Sequence, residues 1–197
     1  RYTAVRVYKI QTGQNNHGSY DTEVSQIWIL RLHDRNGNSA PDTLQAIMVF
    51  SAKWDNNSDG DWDTQYTTIK SIFAVDWDED GDMERAVLVS GVIAISDDDG
   101  DDNLEWKSTE LNVHTKNKSL DDSESHVYLF HSKKVQSNVS SSGIAQYENS
   151  TLIAYESWNT STQNETHAIH YNVEKWDYDR DGIVDSETVH IAEDNRN

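Results

Sequence analysis

Cysteine is absent from the 197-residue chain, proline occurs once, and 16 Lys and Arg face 35 Asp and Glu. The first absence removes both a disulfide framework and any thiolate metal site. The shortage of bases leaves no cationic stripe to release phosphate counterions, so nucleic acid is not an expected partner. No apolar run reaches the roughly 18 residues that would signal a transmembrane helix, and no membrane span is expected. A Gly-x-Ser-x-Gly elbow, a Gly-rich phosphate loop after a strand and a Cys nucleophile are also missing. An enzyme is therefore not expected, and a lyase or hydrolase built from scattered residues is an outlying reading. The chain opens at Arg1 rather than Met, which fits the mature product of a cleaved precursor.

Acid is present in an ordered pattern. Of the 35 acids, 22 fall in five nine-residue segments that hold two of the 16 bases, so the formal charge of -19 sits largely in those segments. The clearest segment is Asp177, Asp179, Asp181 and Asp185 at positions 1, 3, 5 and 9, with Gly182 at position 6. The same template fits Asp76, Asp78, Asp80 and Glu84 around Gly81, and Asp55, Asn57, Asp59 and Asp63 around Gly60. Two variants carry glycine at position 4 instead: Asp34, Asn36, Asn38 and Asp42 around Gly37, and Asp97, Asp99, Asp101 and Glu105 around Gly100. Alternate carboxylates on a tightly turned backbone supply the hard oxygen ligands that Ca²⁺ takes, and the charge of up to five bound Ca²⁺ offsets the acid excess. The first four loops start at 34, 55, 76 and 97, a 21-residue spacing that marks an internal repeat. One further step back, Gly13, Asn15, Gly18 and Asp21 read as a decayed copy.

An EF-hand needs a bidentate Glu at position 12, but Gln45, Tyr66, Val87, Ser108 and Thr188 stand there. The run from Phe73 to Val89, with ligands at 1, 3, 5 and 9 between two apolar strands, resembles the calcium hairpins of FG-GAP and VCBS-type repeats. The resemblance covers roughly 20 residues per copy and implies the loop chemistry. It does not imply that family's propeller, because here a loop follows every single strand.

Between loops lie segments 22–33, 43–54, 64–75 and 85–96, rich in branched and aromatic residues and without helical spacing. Each predicts a strand, and nine-residue connections predict antiparallel return. The expected fold is a single all-β domain over 1–197, an antiparallel meander folded as a β-sandwich or barrel, with a bulge at Ser90-Gly91. Its calcium-loop half spans 1–105. The half at 106–197 reads as strands at 106–113, 127–130, 150–155 and 168–173, joined by Ser/Thr/Asn-rich connections and ending in the last calcium loop.

Five of six Asn-x-Ser/Thr sequons lie in that second half, at Asn117, Asn138, Asn149, Asn159 and Asn164, with the sixth at Asn56; they predict surface glycosylation in a secreted chain. Trp54 and Trp176 precede loops, Trp62 and Trp77 lie inside them and Trp106 follows one. Such rings could cover a cage wall and keep water from its ligands, plug the ends of a core or form a carbohydrate platform. His167 and His170, three apart on a strand, face opposite sides and make no metal pair. Weak calcium loops suit the millimolar calcium outside cells. The expected function is thus an extracellular, calcium-stabilised, N-glycosylated structural protein that self-assembles as a filament (pilus or fibril) or surface layer. Its expected partners are glycans and further copies of itself, with N-terminal strand addition as one route of assembly. The alternative is a calcium-dependent adhesin or carbohydrate-binding module.

Overall fold

The computed structural model describes residues 2–14, 18, 20–99, 101 and 103–196; Arg1, Asn15 and Gly100 lie outside them. Ten strands form one sheet in sequence order: β1 (Tyr2–Gln14), β2 (Tyr20–His33), β3 (Thr43–Trp54), β4 (Thr64–Val75), β5 (Arg85–Ser96), β6 (Leu104–Lys118), β7 (Glu124–Val139), β8 (Ala145–Thr160), β9 (Asn164–Trp176) and β10 (Ser186–Arg196). All pairings are antiparallel. The expected meander is present. The expected closure is not: among the described residues β1 and β10 remain edges and each strand meets only its sequence neighbours, so the sheet forms neither a barrel nor a sandwich. Among the described residues there is no helix, hence none long and apolar enough to cross a membrane.

Strands β3, β4 and β5 occupy the three segments that the 21-residue period sets aside for them. The period also continues where the acidic loops stop. Short turns at 119–123, 140–144 and 161–163 keep nearly the same spacing, while β6, β7 and β8 lengthen to 15, 16 and 16 residues by absorbing the missing loop residues. The expected bulge at Ser90-Gly91 is absent, since Ser90 pairs with Lys70 and Asn112, and Gly91 with Ile69 and Leu111, in unbroken register. β10 follows the last loop without an apolar run to announce it, and every one of its residues is exposed.

Residues paired across an antiparallel sheet share a face, so the register sorts the strands into two surfaces. One, here the Leu111 face, carries Ile27, Val49, Ile69, Gly91, Leu111, Ser132, Leu152 and Tyr171 in one central row. The adjacent row is Ile29, Ile47, Ser71, Val89, Val113, Phe130, Ala154 and Ile169. The other, the Trp106 face, is mostly apolar over β2 to β5, with Lys70 and Ser90 in its central row, and turns polar from β6 onward, where Asn112, His114, His131 and His170 enter its rows. Because no second layer covers either face, no large side chain among the described residues is fully buried.

Candidate metal centres

Each acidic loop is folded by its own side chains. The position 1 carboxylate accepts the position 6 amide: Ser39 N to Asp34 Oδ2 at 2.7 Å, Gly60 N to Asp55 Oδ2 at 3.0 Å, Gly81 N to Asp76 Oδ2 at 3.0 Å and Gly182 N to Asp177 Oδ2 at 2.9 Å. The position 9 carboxylate accepts the position 2 amide in all five loops, from Arg35, Asn56, Trp77, Asp98 and Tyr178. Oxygens at positions 3 and 5 take amides two residues on, as in Asn38 N to Asn36 Oδ1 and Ile183 N to Asp181 Oδ1. At Asp55, Asp63 and Asp177 the second oxygen takes no hydrogen bond and is left for a cation, whereas both oxygens of Asp34 and Asp76 accept loop amides.

The glycine variation has a single backbone cause. Position 4 is left-handed at Gly37, Ser58, Glu79 and Arg180, with φ from 58° to 81°, and position 6 is left-handed at Ser39, Gly60, Gly81 and Gly182. Both positions favour glycine, and a loop carrying it at either one is relieved there. Ser39 shows the consequence, because the loop that places glycine at position 4 tolerates a side chain at position 6.

Three groups of carboxylates could hold a metal ion: Asp76, Asp78, Asp80 and Glu84; Asp97, Asp99, Asp101 and Glu105; and Asp177, Asp179 and Asp185. In each, one ligand atom per residue lies within 4.8 Å of the others. Asp181 stands outside the third group. Loops 34–42 and 55–63, where Asn36, Asn38 and Asn57 replace acids, bring no three acids that close among the described residues. Loop 55–63 carries a different signal. Asp55 and Asp63 are only 3% and 2% exposed, and Oδ1 of each is buried without a hydrogen-bond partner; the same holds for Oδ1 of Asp177, which is 5% exposed. A buried, unpaired carboxylate oxygen carries a desolvation cost of several kcal/mol that a cation would remove. The donor set, oxygen only and without His or Cys, fits a hard ion.

Acidic loops on the same end of the sheet touch. The position 1 amide of one loop donates to the position 9 carbonyl of the loop two strands earlier, Asp76 to Asp42 at 2.9 Å and Asp97 to Asp63 at 2.7 Å. The decayed copy keeps this link, since Asp55 N donates to Asp21 O and Ser58 Oγ to Asp21 Oδ1, and Gly18 is left-handed at position 6. Glu79 receives the side-chain amides of both Asn36 and Asn38. Aspartates in their place would repel Glu79, which accounts physically for the low charge of loop 34–42.

Loop amides, first that of Ser39, hold the Asp34 carboxyl below the usual carboxylate range, and the Asn103 side-chain amide does the same for Asp101. A depressed folded-state value means stability that is present above the ordinary carboxylate range and lost as pH falls through the lowered one. The local folds of loops 34–42 and 97–105 should therefore weaken only in acid, with Asp34 and Asp101 titrating below free aspartate in a carbon-detected NMR titration without added metal.

Trp54, Trp106, Tyr147 and Trp176 share one row near the end of the Trp106 face, beside the loops at 55, 97 and 177. The three Trp are 36%, 39% and 37% exposed, so they plug no closed core. His167 and His170 fall on opposite faces as expected, and no histidine joins a metal group among the described residues. Asn56, Asn117, Asn138, Asn159 and Asn164 are exposed, whereas Asn149 lies half-buried in mid-strand and donates to Glu174 Oε1 at 3.3 Å. No protein-family model, curated protein or solved structure matches this chain, so the likeness to FG-GAP and VCBS-type hairpins rests on the loop residues alone.

Proposed function

We propose that this chain is a calcium-stabilised structural subunit of an extracellular assembly, in which each acidic loop holds one Ca²⁺ and sheets join edge to edge. The observation that carries it is the pair of unpaired edge strands. β1 presents two bases, Arg6 and Lys9, and no acid, while β10 presents three acids, Glu187, Glu193 and Asp194, against one base, Arg196, and both strands are almost wholly exposed. Opposite charge on two free edges favours a heterologous contact between copies, and such a contact propagates as a filament unless its rotation closes. Calcium is the ion because all-oxygen cages with room for carbonyl and water ligands suit its large, flexible shell.

The test is a charge reversal of one edge, Glu187→Lys with Asp194→Lys. The wild-type protein should form filaments visible by negative-stain electron microscopy in millimolar calcium, and the reversed variant should remain dispersed while keeping its calcium binding. Filaments of unchanged length from the variant would refute the edge contact. N-glycosylation is part of the same proposal. Native material should exceed the bare 22.5 kDa by glycan on the exposed Asn117, Asn138, Asn159 or Asn164 and carry none on Asn149, which is half-buried in mid-strand; an intact mass of the bare chain would remove this element.

A second reading, a calcium-dependent carbohydrate binder, is favoured by the row of Trp54, Trp106 and Trp176. These rings recur every third strand, about 14 Å apart at the usual strand spacing, with small residues such as Thr64, Ser96 and Ser137 between them. If it is right, Trp106→Ala should abolish binding to a polysaccharide array without changing the melting temperature.

A further inference from the structure

We infer that the Leu111 face is the contact surface for a second copy of this chain, packed sheet on sheet across a two-fold axis that runs along the seam between β5 and β6. This goes beyond the edge contact proposed above and uses a different surface. The area is the first reason. A compact monomer of this mass exposes about 9,500 Å², whereas the chain exposes 12183 Å². The excess of about 2,700 Å² is well above the roughly 800 Å² per partner of a standard interface. Layered β architectures cover an apolar sheet face with a second layer about 10 Å away, and the described residues supply no such layer.

Shape and charge select the partner. Gly91 interrupts the central apolar row and leaves a hollow of about 270 Å³ lined by Thr67, Ile69, Ile93, Thr109, Leu111 and Ser132. The proposed axis sets β5 over β6 of the second copy, which places the half-exposed Leu111 of each copy at the Gly91 hollow of the other, and the contact is made twice. The same rotation sets β2 over β9 and β3 over β8. In the polar row at the rim of this face it brings Glu23 near Lys175 and Lys53 near Glu148, and it opposes no like charges in that row. The surface is thus self-complementary, with an apolar centre and a charged rim. The Trp106 face has Lys70, Asn112 and His131 in its central row and lacks such a centre.

Gly91→Lys tests this on the full chain. A Cβ added at Gly91 meets only the Glu110 carbonyl oxygen, at 3.8 Å, so the fold tolerates the change while a cation fills the hollow. Ser90→Lys is the matched control, one residue away on the opposite face. Small-angle X-ray scattering in millimolar calcium reads the particle thickness, light scattering its mass, and circular dichroism shows that each variant is folded. Edge growth lengthens the particle without thickening it, so failure of the edge contact and failure of this one register separately. The wild type and Ser90→Lys should be about 20 Å thick with a mass of at least two chains, and Gly91→Lys about 10 Å thick. A wild type about 10 Å thick, a double thickness at single-chain mass, or the same thickness for both variants would overturn the proposal.

Discussion

In excess chelator the protein should melt about 15–30 °C below its melting temperature in millimolar calcium. The carboxylates of three loops are brought together by the turn and are scattered in the unfolded chain, so calcium held by them would favour the folded state. A site filled to about 100 times its dissociation constant adds roughly 2.7 kcal/mol, and the three carboxylate groups alone would then supply about 8 kcal/mol. For a domain of this size each kcal/mol moves the melting temperature by about 2–4 °C. The contribution is comparable with the whole stability of an ordinary domain. The single-layer sheet makes it larger in relative terms, because the chain buries little of its apolar surface. A pair of melting curves by circular dichroism, with and without chelator, checks it; coincident curves would remove the cage reading.

The second large effect is a change of sign. Asp78 is exposed, its Oδ1 accepts the Asp80 amide, and it shares a group with Asp76, Asp80 and Glu84. Asp78→Asn keeps the acceptor and removes one charge. In calcium the cage loses a charged ligand, and the melting temperature should fall by several degrees, equivalent to about 2–3 kcal/mol. In chelator the same change relieves repulsion among the remaining carboxylates, and the melting temperature should rise. Asn36→Ala, in the uncharged positions of loop 34–42, should shift it by little in either condition. A fall of equal size for Asp78→Asn with and without calcium would mean that Asp78 stabilises the turn and holds no ion.

Much of this was legible in the residues because period and loop chemistry agree. A 21-residue unit holding one apolar segment and one nine-residue acidic loop leaves a strand of fixed length and a reversal of fixed length, and β3 to β5 match it residue for residue. What composition could not carry was closure. A strand apolar on both faces, such as 86–95, reads as the centre of a sandwich, yet pairing in strict sequence order gives one layer and leaves that requirement unmet within the chain. β10 was hidden because Glu187, Glu193, Asp194 and Asn195 dilute its strand formers to the composition of a tail. In the loops the alternation of glycine between positions 4 and 6 was visible, but its cause, two left-handed residues per turn, needed the backbone. The links between loops, Asp42 to Asp76 and Asn36 and Asn38 to Glu79, join residues 34 to 43 apart and follow only from the alternating ends of the meander.

Counting calcium bound per chain by equilibrium dialysis bears most directly on the central claim. The wild type should hold three to five ions in millimolar calcium, and a variant with Asp76→Ala, Asp97→Ala and Asp177→Ala should lose about three of them. No bound calcium in the wild type, or the same number in the triple variant, would contradict the account.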